Sequence, residues 1–167
     1  MKKKYWLIIL PLLLSLYIYL FYRTEKTIIN QLFIAVFSRT RFTAWRTFVT
    51  AALPLNKHII YSLPEGLWVF CITLTSNFLF ITVYKRKFNL LFLPLIFSIG
   101  LELLQLLHIT NGRFDFWDIA VSIACWVAAV IIMKRKSVTQ NILKPFTVNG
   151  FVCVASYAIV YLAHVVR

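Results

Sequence analysis

Only five of the 167 residues are acidic, and four of them, Glu65, Glu102, Asp115 and Asp118, stand at the edges of apolar runs. Glu102-Leu103-Leu104-Gln105 closes one run, and Asp115-Phe116-Trp117-Asp118 opens the next. On a helix, Ser98, Glu102 and Gln105 fall at i, i+4 and i+7, and so do Asp118, Ser122 and Cys125, so each helix carries one polar stripe. Polar side chains with no water to solvate them turn toward one another, and Thr73, Ser76 and Asn77 offer a third polar surface. The expected object is an outward-facing acidic crevice. Glu102, Asp115 and Asp118 would receive cationic or hydroxylated headgroups there, Arg113 would contact a phosphate, and Glu65 and Gln105 complete the set of binding residues.

Helix capping is the competing explanation for three of these acids. Ser62-Leu63-Pro64-Glu65 fits an S-x-x-E capping box with proline just inside the helix start, and Asp115 and Asp118 suit the N-cap and N3 positions of a following helix. Glu102 has no such explanation, because it lies toward the closing end of its run, several turns from the helix start where an acid could cap; a buried pair with Arg113 is the structural alternative there. His108, beside Gln105, is the one histidine placed to move a proton near neutral pH. Paired acids with a histidine could act as acid and base, or hold a divalent metal. No nucleophile elbow, no His-Glu-x-x-His and no phosphate loop accompanies them, so no catalytic residue, metal ligand or cofactor is assigned.

The elements that must position these residues follow from composition. The chain is 61% hydrophobic and 14% charged, whereas soluble domains run about 45–50% apolar and roughly 25% charged. Hydropathy predicts an all-α, polytopic helical membrane protein with about five transmembrane helices, at about 5–22, 66–84, 88–109, 116–133 and 148–166. Residues 1–167 then form one membrane domain. The first run reads as an uncleaved signal anchor kinked at Pro11.

Eighteen Lys and Arg against five Asp and Glu give a net charge of +13. These basic residues come as short runs between apolar stretches, so they read as topology signals and not as a nucleic-acid surface. Lys2-Lys3-Lys4, Lys85-Arg86-Lys87 and Lys134-Arg135-Lys136 fall on one side of the five-span arrangement, which predicts the N-terminus inside and the C-terminus outside. Between the first two spans, segment 28–56 has apolar residues at three-to-four-residue spacing together with Arg39, Arg41 and Arg46. It is expected to be an amphipathic interfacial or re-entrant segment, since crossing the bilayer would bury its arginines. Ser137 to Thr147 reads as a polar connector. Trp45, Trp68 and Trp117 suit an outer aromatic belt and Trp6 an inner one. Cys71, Cys125 and Cys153 lie in apolar stretches without metal-ligand spacing and are expected to be buried free thiols.

Three segments together, Ser62-Leu63-Pro64-Glu65-Gly66-Leu67-Trp68, Glu102-Leu103-Leu104-Gln105 and Gly112-Arg113-Phe114-Asp115-Phe116-Trp117-Asp118, resemble the VanZ-like family of small bacterial membrane proteins, over about residues 62–130. In that family an E-x-x-Q segment ends one span, a short turn follows, and a D-x-x-D segment opens the next. Ser122 and Cys125 stand where the family commonly has Asn and Gly. The resemblance implies a cell-envelope context, with the chain as a multi-pass protein of the bacterial cytoplasmic membrane. Three functional readings follow: binding or handling of an envelope amphiphile, such as a lipid, a lipid-linked precursor or a lipoglycopeptide; an integral subunit or assembly element of a larger envelope complex; and, third, an intramembrane acid/base enzyme. The partners expected are membrane lipids or such a complex, and no nucleic acid.

Overall fold

The computed structural model describes residues 2–24, 28–84, 86–109, 113–133, 140–142, 147, 150–151 and 153–157. Its first helix, α1 (Lys2–Tyr22), is apolar almost throughout and carries Pro11 inside it. The last carbonyls of a helix have no intrahelical donors, and here the following segment supplies them. Asn30 Nδ2 donates to Thr24 O (2.8 Å) and Tyr19 O (3.4 Å), and Arg46 donates to Phe21 O through Nε (3.2 Å) and to Arg23 O through Nη2 (2.6 Å).

Asn30 lies in α2 (Ile28–Phe37) and Arg46 in α3 (Arg39–Ala52), so the amphipathic segment is two helices, with Ser38 at φ 70° between them. Phe42 is the residue α3 buries.

Helix α4 (Lys57–Ser76) begins nine residues before the run expected at 66–84 and ends eight residues short of it. Asn56 is its N-cap, accepting from His58 N at 3.2 Å. Ser62 and Pro64 are therefore buried residues of the helix interior, and the Ser62–Glu65 capping box does not form. Proline inside a helix removes one donor and crowds the preceding turn; in that turn the Tyr61 carbonyl accepts from Arg23 Nη2 of α1 at 2.8 Å.

After α4 the chain changes period. β1 (Leu79–Val83) pairs antiparallel with β2 (Arg86–Asn89), Phe80 opposite Asn89 and Val83 opposite Arg86. It also pairs in parallel with β3 (Gln140–Asn141), which lies within the expected connector, giving the order β2-β1-β3. Alternation puts Leu79 and Ile81 on one face, where Leu79 packs with Leu90, Ile142 and Cys153. A 3-10 turn (Leu90–Phe92) leads into α5 (Leu93–Leu106), and α6 (Phe116–Ile132) follows. Trp126 Nε1 of α6 donates to Leu91 O at 3.0 Å, tying α6 to that turn.

These elements correct the five-span expectation. Among the described residues one helix, α4, is long and apolar enough to cross a membrane; the apolar parts of α1, α5 and α6 are shorter, and the three-stranded sheet takes the end of the span expected at 66–84, its junction with the next span and part of the expected connector. The physical reason is local. Leu79, Ile81, Thr82 and Val83 are as apolar as a span on average, but they are largely β-branched, suit a pleated surface and end at a polar turn. Of the fifth run, 148–166, residues 150–151 and 153–157 are helical; 148–149, 152 and 158–166 lie outside the described residues, as do Lys85, Gly112, Lys134-Arg135-Lys136 and His164.

Trp68 is also not at a boundary. It is buried in the core beside Val69 and Ile72, with Phe97 and Tyr157 against it at ring separations of 5.9 and 6.4 Å. All three cysteines are free; Cys71 and Cys153 are buried and Cys125 is half-buried.

Candidate functional site

Helices α4, α5 and α6 meet at a cluster of acids. Gly66 makes this possible: a Cβ there would lie 2.6 Å from Val121 Cγ1 and 2.9 Å from Cys125 Sγ, so only glycine lets α4 approach α6 this closely. The neighbouring Glu65 is thereby brought to the seam between α5 and α6. Glu65, Glu102 and Asp118 each offer a carboxylate oxygen there, and these three oxygens all lie within 4.8 Å of one another.

The two polar stripes read from the sequence do face each other. Ser98 Oγ donates to Glu65 Oε1 at 2.7 Å and lies 2.9 Å from Ser122 Oγ. A hydroxyl carries one proton, so with Ser98 donating to Glu65, Ser122 donates to Ser98. The result is a hydroxyl relay from α6 through α5 to the Glu65 carboxylate, with both serines fully buried.

Glu102 is 1% exposed. Its Oε2 accepts from the backbone N–H of Asp115 at 3.0 Å. The Gln105 amide, turned with its NH2 inward, donates to Glu102 Oε1 (3.3 Å) and to the Arg113 carbonyl (3.2 Å). The donors to Glu65 and Glu102 are thus neutral groups. Asp115 is the N-cap of α6, its carboxylate accepting from Trp117 N at 2.9 Å, so the capping reading holds for this acid. Asp118, in the first turn of α6, has both roles open to it: it faces the helix's positive end and belongs to the cluster.

Of the six residues the sequence singled out, the structure brings Glu65, Glu102 and Asp118 together, with Gln105 and Asp115 supporting Glu102. Arg113 stays outside; its side chain is exposed, only its carbonyl reaches Gln105, and among the described residues no ion pair joins it to Glu102. His108 is exposed at the end of α5, in a left-handed turn with φ 56°. The crevice is closed over Glu102 and half open at Glu65 and Asp118. Its third wall is Glu65, and Thr73 and Ser76 take no part: Thr73 donates to Val69 O at 2.6 Å and Ser76 contacts Cys153 at 3.4 Å.

Sequence reasoning missed the contribution of α1. The Arg23 guanidinium lies over the rings of Tyr19 (5.0 Å) and Tyr61 (4.7 Å), close enough to act electrostatically on Glu65. Its signal was an arginine at the end of an apolar run, indistinguishable in sequence from a topology charge.

Three carboxylate oxygens at this separation suit a cation. A hard divalent ion such as Ca2+ takes carboxylate oxygens at about 2.3–2.6 Å, and an ammonium group takes the same donors by charge-assisted hydrogen bonds. Glu65, Glu102 and Asp118 are the residues that could hold either. Compared with protein-family models, curated protein sequences and solved structures, the chain matches none.

Proposed function

We propose that this chain is a membrane-embedded protein of the bacterial cell envelope that binds an amphiphile by its cationic or hydroxylated headgroup at Glu65, Glu102 and Asp118. One observation carries the reading: three carboxylates from three separate helices converge on one point, with a glycine contact and a serine relay holding them there. Acids placed within apolar helices are costly, and such residues mark ligand or ion sites by default.

Membrane residence is supported by the outer surface. Trp6, Leu10, Leu13, Phe116 and Ile131 are all more than half exposed, as large apolar side chains facing lipid would be. The motif resemblance to the VanZ-like family supports the envelope setting. The test is gentle detergent extraction of the full chain and mass spectrometry of the lipids that remain bound. A single enriched amphiphile, lost in Glu102→Gln while the thermal unfolding midpoint is kept, is the expected result; an unselective lipid profile unchanged by Glu102→Gln would overturn the reading.

A second reading, a divalent-cation site, is favoured by the oxygen separation alone. Mn2+ titration followed by electron paramagnetic resonance separates the two. Stoichiometric binding abolished by Glu65→Gln would give the site to a metal.

A further inference from the structure

The pair α2–α3 has one face committed to the protein and one left bare. On the inner side Asn30 and Phe42 are buried, and Asn30 and Arg46 hold the end of α1. On the outer side Leu32, Val36, Phe37, Trp45 and Phe48 are exposed, Val36 at 72% and Phe48 at 75%. The rings of Phe37 and Trp45 meet at 5.3 Å, so this apolar surface runs unbroken across the corner at Ser38.

From 28 to 52 the chain has no acid. Arg41, Trp45 and Phe48 fall at i, i+4 and i+7 on α3, with Arg39 exposed at its start. We propose that α2 and α3 lie flat on the anionic surface of a lipid bilayer, their apolar face at the boundary between headgroups and acyl chains and Arg39 and Arg41 toward lipid phosphates.

Charge decides the occupant. A basic helix pair without acids, with tryptophan beside arginine, has the composition of segments that lie in anionic membrane interfaces. Length excludes a crossing: helices of 10 and 14 residues rise about 15 and 21 Å at about 1.5 Å per residue, against a hydrocarbon core of about 30 Å. The inference rests on the membrane placement proposed above and is independent of what the acidic cluster binds.

The experiment places a bimane fluorophore at Val36→Cys, Phe48→Cys or Ile131→Cys in the full chain, with the unsubstituted protein as the labelling blank. Each is reconstituted in nanodiscs of phosphatidylcholine brominated on the acyl chains, with or without phosphatidylglycerol. Ile131 on α6 reports the membrane placement alone. Positions 36 and 48 are expected to lose most of their fluorescence to the brominated chains and to resist aqueous iodide. The loss at 48 should deepen with phosphatidylglycerol, and the joint Arg39→Gln, Arg41→Gln change should remove that increment. Quenching at 131 with iodide access at 36 and 48 overturns the inference while leaving the membrane placement intact. No quenching at 131 overturns both. Quenching at 36 and 48 that ignores phosphatidylglycerol overturns the anionic surface as occupant.

Discussion

Gly66 and Val121 are in contact so close that a methyl group on Gly66 would come within 2.6 Å of Val121 Cγ1. That contact joins α4 to α6 one residue from Glu65, so packing and site share a single position. Gly66→Ala is expected to destabilise the protein by about 1–3 kcal/mol, the usual range for overpacking a filled contact. Gly100→Ala is the control: nothing lies within 4 Å of a Cβ there, and alanine in a helix interior should stabilise by roughly 0.5–1 kcal/mol. Thermal unfolding in detergent reads both; equal shifts of the same sign would refute the contact's importance.

The two aspartates of α6 should separate in the same assay. Asp115 caps the helix through Trp117 N, so Asp115→Ala should cost about 0.5–2 kcal/mol and Asp115→Asn much less. Asp118→Asn keeps the shape and loses only the charge at the helix start, an effect of about 0.3–1 kcal/mol. Its larger expected effect is loss of the bound amphiphile, read by lipid mass spectrometry. A large stability loss at Asp118 with lipid retained would make it a cap and nothing more.

How much of this was visible in the sequence depends on the kind of signal. The stripes Ser98–Glu102–Gln105 and Asp118–Ser122 were legible because helical period is local, and the structure does turn them together. The Asp115 cap was legible for the same reason. The count of spans was not, because averaged hydropathy cannot tell Leu79–Val83, a strand that pairs with residues sixty-one positions away at Gln140–Asn141, from a continuing helix. Asn56 took the cap expected at Ser62 because α4 starts further upstream, where Lys57 and His58 lower the hydropathy without breaking the helix. Gly66 read as a neutral member of a motif. Its importance depends on Val121 and Cys125, which only the tertiary fold brings to it.

The serine relay gives a coupling prediction. Ser122 supports Glu65 only through Ser98, so once Ser98→Ala has removed the link, Ser122→Ala should cost little more. A double-mutant cycle on unfolding free energy is expected to show a coupling of about 0.5–1.5 kcal/mol, the net worth of a hydrogen bond. Strict additivity would mean that the two hydroxyls act separately.

Arg46 provides the last test, because it links the surface pair α2–α3 to the helix that precedes it. Its guanidinium bonds the Phe21 and Arg23 carbonyls at once, two acceptors that the end of α1 cannot satisfy itself. A planar fork reaches both; an ammonium group is a single point charge on a flexible stem. Arg46→Met should therefore cost about 1–3 kcal/mol by leaving those carbonyls unpaired, and Arg46→Lys should recover only part of it. Hydrogen exchange localises the effect: faster exchange is expected for the last turn of α1 and for α3, with α5 and α6 unchanged. Uniform acceleration across all helices would instead show that Arg46 acts on global stability and not as the clamp on α1.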